Sequence, residues 1–408
     1  MSLIPFAPPR IDDLIVEEVI ATLRSGWITT GPRTKQFEKN LSAYNGNPVT
    51  LCLNSATAGM EIMLRWFGVK EGDEVILPAY TYAATANVIV HCGATPVFVD
   101  ISTDFNISIN AIERAITSRT KVIMPVDFGG LPCEYDAIMA LVKRSDVLSK
   151  FNPATPVQEQ MGRMMVLSDA AHSLGAMYKG RKAGTLADVS VFSFHAVKNL
   201  PTAEGGAVAL NLPAPFDNQE VYKYLCIYTL HGQTKDALSK MQKGNWRYDI
   251  IEAGFKCNMT DLMAAIGMIE LARYDEDMLV QRKQICMAYR AAFIDEPWAE
   301  LPTQIDGETM SSWHLFALRI KGITETERDE IIQLIFDQDV SVNVHFIPLP
   351  MLSFYKNRGY SIADYPNAFD AYSREISLPV FYALSGEEID RVIKAVKESV
   401  VKVISKKA

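Results

Sequence analysis

Lys198 stands just beyond an apolar run, in "ADVSVFSFHAVKNLPTAEGG" (Ala187–Gly206). A lysine that only needs solvent can sit on any exposed helix face. One beside a buried strand must be paired, desolvated or chemically used. Asp169 and His172 close another apolar run, "MMVLSDAAHSLGA" (Met164–Ala176). Between Asp169 and Lys198 there is room for a turn, a short excursion and the next strand of the same sheet. A carboxylate and an amine at neighbouring strand ends can flank one flat ligand. That arrangement suits pyridoxal phosphate: the lysine is its Schiff-base partner, and the carboxylate keeps the pyridinium nitrogen protonated. The ring then absorbs the electrons left when an α-proton departs. Spacing alone favours a plainer use of the two residues, a structural Asp–Lys ion pair.

A phosphate site is foreshadowed in "NSATAGMEIML" (Asn54–Leu64), where a strand passes into a helix through small residues, with Thr57 near the helix start. First-turn amides have no intrahelical partner and carry the positive end of the helix dipole. Thr57 serves equally well as a plain N-cap. Tyr82, in "PAYTYAATAN" (Pro78–Asn87), follows another apolar run and can either stack on an aromatic ring or fill core.

The elements that must hold these residues are legible as alternation. "TLCLNS", "EVILPA", "TPVFVD", "VIMPVDF", "MMVLSD", "VSVFSF" and "AVAL" read as buried strands, separated by amphipathic segments such as "TAGMEIMLRWFG" and "YDAIMALVKRS". This predicts an α/β fold: a large domain with a mostly parallel central sheet sandwiched by helices, its ligands outside the carboxyl ends of the strands. The large domain is expected over residues 1–280, N-terminal arm included. A smaller α/β domain is expected over 281–408, from "HLFALRI", the helical "ERDEIIQLIFDQ", the run "VSVNVHFIPL" and the terminal "EEIDRVIKAVKESVVKVI". The polar segment at 144–163 reads as a surface excursion.

Composition excludes other classes. With 49% apolar and 22% charged residues the chain is globular, and a net charge of −8 over 408 residues leaves no basic field for nucleic acid or an anionic membrane. No apolar run is long enough to span a bilayer, and the N-terminus lacks the pattern of a signal peptide. Six scattered cysteines without a C-x-x-C pair read as reduced thiols, which with the above predicts a cytoplasmic protein. His91 beside Cys92 lacks the ligand count of a metal site, so no metal is expected.

"GWITTGPRTKQFEKNLSAY", "NSATAGMEIML", "PAYTYAATANVI", "PVFVDIS", "SDAAHSLGA", "SFHAVKNLPTAEGGAV", "GFKCNMTDLMAAIG" and "VHFIPL" follow one another in an order and spacing that resemble nucleotide-sugar aminotransferases of the DegT/DnrJ type. These are pyridoxal-phosphate enzymes of the aspartate-aminotransferase fold, and the resemblance runs from about Trp27 to the terminal helix. It implies that Lys198 bonds the cofactor and then shuttles the proton, that Asp169 pairs with the ring nitrogen, and that His172 lies against the ring or its 3-oxygen. Tyr82 would stack on the other face. Thr57, the amides of Ala56 and Ala58, and Ser193 would hold the phosphate, joined by Asn258 from a neighbouring subunit. Shared active sites imply a homodimer. Trp27, Thr29, Thr30 and His345 are similar to segments lining the sugar pocket, and Glu204 is expected to be structural.

The resemblance implies transfer of an amine from an amino acid, L-glutamate above others, to a nucleotide-linked keto-sugar in surface-polysaccharide or amino-sugar biosynthesis. Lys256 in "GFKCNMTD" points to the subgroup that aminates C4 of UDP-linked sugars. The 144–163 excursion departs from the usual pattern. Two other readings compete. Related sugar dehydratases carry histidine in place of the lysine, which Lys198 argues against; a non-catalytic relative is disfavoured by the intact set Asp169, His172, Ser193, Lys198 and Asn258. His195 reads as a packed support of the lysine loop before it reads as a general base.

Overall fold

All seven strand-like runs enter one sheet in the computed structural model, which describes residues 2–235 and 246–407. Its strands are β1 (Val49–Leu53), β2 (Glu74–Pro78), β3 (Thr95–Val99), β4 (Thr120–Ile123), β5 (Met165–Asp169), β8 (Val189–Ser193) and β9 (Gly206–Leu210), in the order β1-β9-β8-β5-β4-β2-β3. Only β9 runs against its neighbours, pairing antiparallel with both β1 and β8. The remaining pairs are parallel. The expected α/β class with a mostly parallel central sheet is therefore the observed one.

Strand side chains alternate between two faces, and two cores record this. Leu51, Leu53, Val75, Leu77, Met165 and Leu167 belong to one. Cys52, Ile76, Val166 and Phe192 belong to the other. Helices Ala56–Trp66 and Ala83–His91 cover the first face, with Met60, Met63 and Ile89 buried in that core. Helices Pro32–Asn45, Tyr135–Leu141 and Asp261–Ala272 cover the second through Phe37, Ile138 and Ala264.

A short hairpin, β6 (Met177–Tyr178) and β7 (Arg181–Lys182), leaves this sheet and pairs with a second hairpin, β11 (Ile305–Asp306) and β12 (Thr309–Met310). That four-stranded ribbon ties the first part of the chain to the last. Beyond it β10 (Ala299–Glu300), β13 (Phe316–Ile320) and β14 (Glu375–Leu378) form an antiparallel sheet. Helices Leu279–Phe293, Glu325–Phe336 and Gly386–Ile404 pack on it to make a third core. The last helix buries Val392, Val396, Val400 and Val403, the period of one helical stripe, and starts with a capping box between Ser385 and Glu388. Ile4 pairs with Val340 and is buried in this third core, so the N-terminal arm crosses to the C-terminal part of the chain. The run "VSVNVHFIPL" forms no regular strand; Val340 and Asn343 make isolated bridges only.

The excursion at 144–163 folds into two short helices, Ser145–Leu148 and Pro156–Met161. Gln158, fully buried, donates to the Phe67 carbonyl at 2.9 Å and anchors it beneath the helix Ala56–Trp66.

Candidate active site

The carboxyl ends of β5 and β8 open on a cavity of about 530 Å³ whose walls include Ala56, Thr57, Tyr82, Asp169, His172, Ser193, Lys198 and His345. Lys198 sits on the loop between β8 and β9. Phe194 N–H donates to the Gly205 carbonyl at 2.9 Å, Thr202 N–H to Phe194 at 2.8 Å, and Lys198 N–H to His195 at 2.8 Å, so the loop is stapled at its neck. Its close fit excludes side chains at two points. A Cβ on Gly205 would meet Thr202 Oγ1 at 2.2 Å, and one on Gly206 would meet the Ala56 nitrogen at 2.3 Å.

Asp169 ends β5 with its carboxylate buried. Thr85, from the first turns of helix Ala83–His91, donates to Oδ2 at 2.7 Å, and the Ala171 amide donates to Oδ1 at 3.2 Å. The following turn is braced from below, where the Ser173 hydroxyl donates to Asp127 at 2.6 Å. His172 is thereby held in the wall, its ring centroid 4.2 Å from that of His314. Its Nδ1 is buried without a hydrogen-bond partner.

Burial sets the charges. It lowers the Lys198 ammonium to a pKa of about 8, against the pull of Asp169, and raises the Asp169 carboxyl above its ordinary value despite Thr85, Ala171 and Lys198. The two influence each other, yet no ion pair or hydrogen bond joins them, so the ion-pair use that spacing alone favours is not realised. His172 is pushed well down by burial and then by Lys198, His345 and Arg282; His345 falls to about 3 for the first two of these reasons, burial and Lys198. Both imidazoles are neutral near pH 7.

The helix Ala56–Trp66 begins at the same cavity. Its N-cap is Ser55, whose hydroxyl accepts from the Ala58 amide at 3.1 Å, so Thr57 is free of the capping role that it could have taken. Ala58 is thus engaged within the helix, while the amides of Ala56 and Thr57 keep the orphan character of a helix start. Tyr82 is 64% exposed, which excludes a core role, and its ring lies 5.9 Å from Phe346.

Trp27, Thr29, Thr30 and Asn258 do not line this cavity. They gather elsewhere: Asn258 Nδ2 donates to Thr30 Oγ1, Lys256 donates to Asn258 Oδ1, Thr29 accepts from the Asp261 amide at 3.1 Å, and Trp27 Nε1 donates to the Thr30 carbonyl at 3.1 Å. His195 is not packed as expected. It is exposed at the cavity rim, 3.7 Å from the exposed Glu204. His91 pairs with Glu61 at 3.0 Å, and no cluster of three metal-ligating side chains occurs among the described residues.

Two wall residues, His314 and Arg282, and Thr85 behind Asp169 escape sequence reading. Thr85 carries no signal beyond being a helix-start threonine. His314 and Arg282 come from the last third of the chain. Arg282 donates to the carbonyls of Trp313 and His314 at 3.1 and 2.7 Å, and burial lowers its pKa to about 10.

The sequence profile of the DegT/DnrJ/EryC1/StrS aminotransferase family matches residues 9–152 and 156–397, so the chain belongs to this family of aminotransferases. The match pauses only at 153–155, which leaves most of the 144–163 excursion inside it. Spr1654 of Streptococcus pneumoniae, assigned as a sugar aminotransferase and solved in its PMP form, is 45% identical. That similarity covers 98% of this chain and all of the other, with a TM-score of 0.94. The PLP form of the same protein superimposes with a TM-score of 0.93. Helicobacter pylori PseC, an aminotransferase involved in the biosynthesis of pseudoaminic acid, is 27% identical over 98% of this chain and all of its own, with a TM-score of 0.86. The spore coat polysaccharide biosynthesis protein SpsC of Bacillus subtilis is 37% identical over 97% of both chains. No helix among the described residues is long and apolar enough to cross a membrane.

Proposed function

We propose that this protein transfers the amino group of an amino acid, L-glutamate first among donors, to a nucleotide-linked keto-sugar, with a UDP-4-keto-sugar as the first acceptor to try. The pathway is one of surface-polysaccharide or amino-sugar biosynthesis, and the working unit is a cytoplasmic homodimer. The observation that carries this reading is the meeting, in one cavity, of a desolvated unpaired lysine with a buried carboxylate, an unpartnered histidine nitrogen and free helix-start amides. Relatives named for sugar amination and polysaccharide biosynthesis supply the substrate class.

Pyridoxal phosphate is the cofactor, and when bound it supplies the electron sink for an α-proton's departure. The residues present fit it. Asp169 is the group to hold the ring nitrogen, His172 Nδ1 offers an unused polar contact, and Thr57, Ser193 and the Ala56 and Thr57 amides suit the phosphate. Tyr82 is free to cover a ring face. Lys198, with a pKa of about 8, is unprotonated in about one molecule in ten at pH 7, and can act first as nucleophile and then as proton carrier. Asp169 is rigid through Thr85 and Ala171, so it need not reorganise when charge develops nearby.

Neither Trp27, Thr29, Thr30 nor Asn258 reaches the cavity of its own chain. The reading therefore assigns them to the cavity of a second copy, Asn258 at the phosphate and the others at the sugar. Incubating the protein with L-glutamate and a panel of UDP- and dTDP-keto-sugars, and following 2-oxoglutarate and amino-sugar by mass spectrometry, tests the substrate class. Amination of at least one nucleotide sugar is expected. Donor turnover with amination of none of them would overturn the acceptor assignment.

A further inference from the structure

β14 carries Glu375 and Ser377 two residues apart, which sends both side chains to one face of the strand. Both are fully buried. The Ser377 hydroxyl contacts Glu375 Oε1 and lies 2.9 Å from His345 Nδ1, while the His345 amide donates to Glu375 Oε2 at 3.0 Å. A continuous chain of polar contacts thus runs from the core, through Ser377, to a ring in the cavity wall. That ring is held in place: Tyr80 donates its hydroxyl proton to the His345 carbonyl at 2.5 Å, and Phe6 stacks on the imidazole at 5.5 Å and 28°. Nε2 is the one polar ring atom with no protein partner.

A neutral imidazole carries a single N–H, and a serine hydroxyl a single proton, so the three groups cannot be set independently. With Glu375 ionised, Ser377 donates to the carboxylate and must accept from His345 Nδ1–H, which leaves Nε2 as an acceptor. With Glu375 protonated, the carboxyl donates to Ser377, Ser377 donates to Nδ1, and Nε2 carries the hydrogen. Passing from the second state to the first moves one proton from Glu375 to Ser377, one from Ser377 to Nδ1, and releases the Nε2 proton into the cavity. Charge and atoms balance without any proton crossing the core by another route.

We propose that Glu375, acting through Ser377, sets the tautomer of His345 and so switches Nε2 in the cavity wall between hydrogen-bond donor and acceptor. Glu375 and Ser377 are positioning residues here, and His345 is the group that meets substrate. The charged and titratable neighbours are few. Arg328, Arg319 and Tyr80 face Glu375, and Lys198, His172 and His314 face His345. Burial, resisted by Ser377, the His345 amide and the two arginines, lifts the Glu375 carboxyl to about 8, which puts the switch near neutral pH.

The link to substrate rests on the keto-sugar reading; the tautomer does not, so the two are tested apart. In the intact, cofactor-loaded protein labelled with ¹⁵N-histidine, the His345 ring nitrogens report the tautomer directly as pH is raised from 6 to about 9. Wild type should pass from Nε2–H to Nδ1–H. Glu375→Gln, whose carbonyl oxygen is claimed by the His345 amide so that its NH2 faces Ser377, should stay Nε2–H throughout, and Ser377→Ala should lose the transition, with Ser377→Thr restoring it. A His345 pattern that is constant in wild type, or that shifts alike in wild type and Ser377→Ala, would overturn the relay. In turnover, Glu375→Gln should raise KM for the keto-sugar about tenfold at pH above 8 and leave the half-reaction with glutamate unchanged. A tautomer switch without sugar amination contradicts the substrate reading and leaves the relay standing.

Discussion

Lys198 and Asp169 lie close enough to feel each other's charge and too far apart to neutralise it, and that separation is where a flat ligand can act. Removing the carboxylate's charge tests its part. Asp169→Asn should keep the fold and bind cofactor, yet lose transaminase turnover by about 10²–10³-fold, because without the carboxylate the ring nitrogen no longer holds its proton and the electron sink weakens; steady-state kinetics with saturating cofactor would read it. The lysine predicts a pH dependence. Burial lowers its pKa from 10.5 to about 8, so the reactive free amine becomes more abundant as pH rises towards 8 and saturates above it. Stopped-flow capture of the cofactor by apoprotein should accelerate about tenfold per unit below pH 8 and level off beyond. Lys198, Asp169 and His172 are legible in sequence because each ends or follows a buried strand, where side chains of that kind need a reason. Thr85, Arg282 and His314 are not, since long-range packing alone brings Thr85 to Asp169 and the other two to the cavity.

At the level of elements, the start of helix Ala56–Trp66 is pressed against the start of β9. Any side chain on Gly206 would collide with the Ala56 nitrogen and the Ser55 backbone, 2.3 to 2.8 Å away, and neither is a flexible tip that can swing aside. Gly206→Ala should therefore displace the helix start, destabilise the protein by about 1–3 kcal/mol and shrink the stabilisation that added cofactor provides. Thermal melts with and without pyridoxal phosphate measure both. The seven strands of the main sheet were readable because they are short, apolar and bounded by polar turns. The two-residue strands β6, β7, β11 and β12 were not, as two residues carry no period. The run at Val340 alternates apolar and polar residues, and it meets only isolated partners without forming a regular strand.

The whole molecule raises the matter of the residues that stand apart. Trp27, Thr29, Thr30 and Asn258 form their own cluster, and the proposed shared-site dimer would give them work that a single chain does not. Lys198→Ala and Asn258→Ala should each be nearly inactive alone. Mixed and reassembled, they should recover about a quarter of wild-type activity, since half the dimers are mixed and each has one whole site. Absence of recovery in demonstrated mixed dimers would place Asn258 in its own chain's site. The proposed division near residue 280 is likewise a matter of scale. The third core lies almost wholly beyond it, but Ile4 joins that core from the other end of the chain, a crossing that no local sequence pattern announces.

The chemistry of Lys198 is the centre of the proposed reaction. The measurement to make is the visible absorption spectrum of the purified protein with pyridoxal phosphate, before and after L-glutamate, beside Lys198→Ala. Wild type should gain a yellow cofactor band that bleaches on adding glutamate, and the folded variant should gain none. A folded wild-type protein without that band, or a variant with the same band, would contradict the central role given to Lys198.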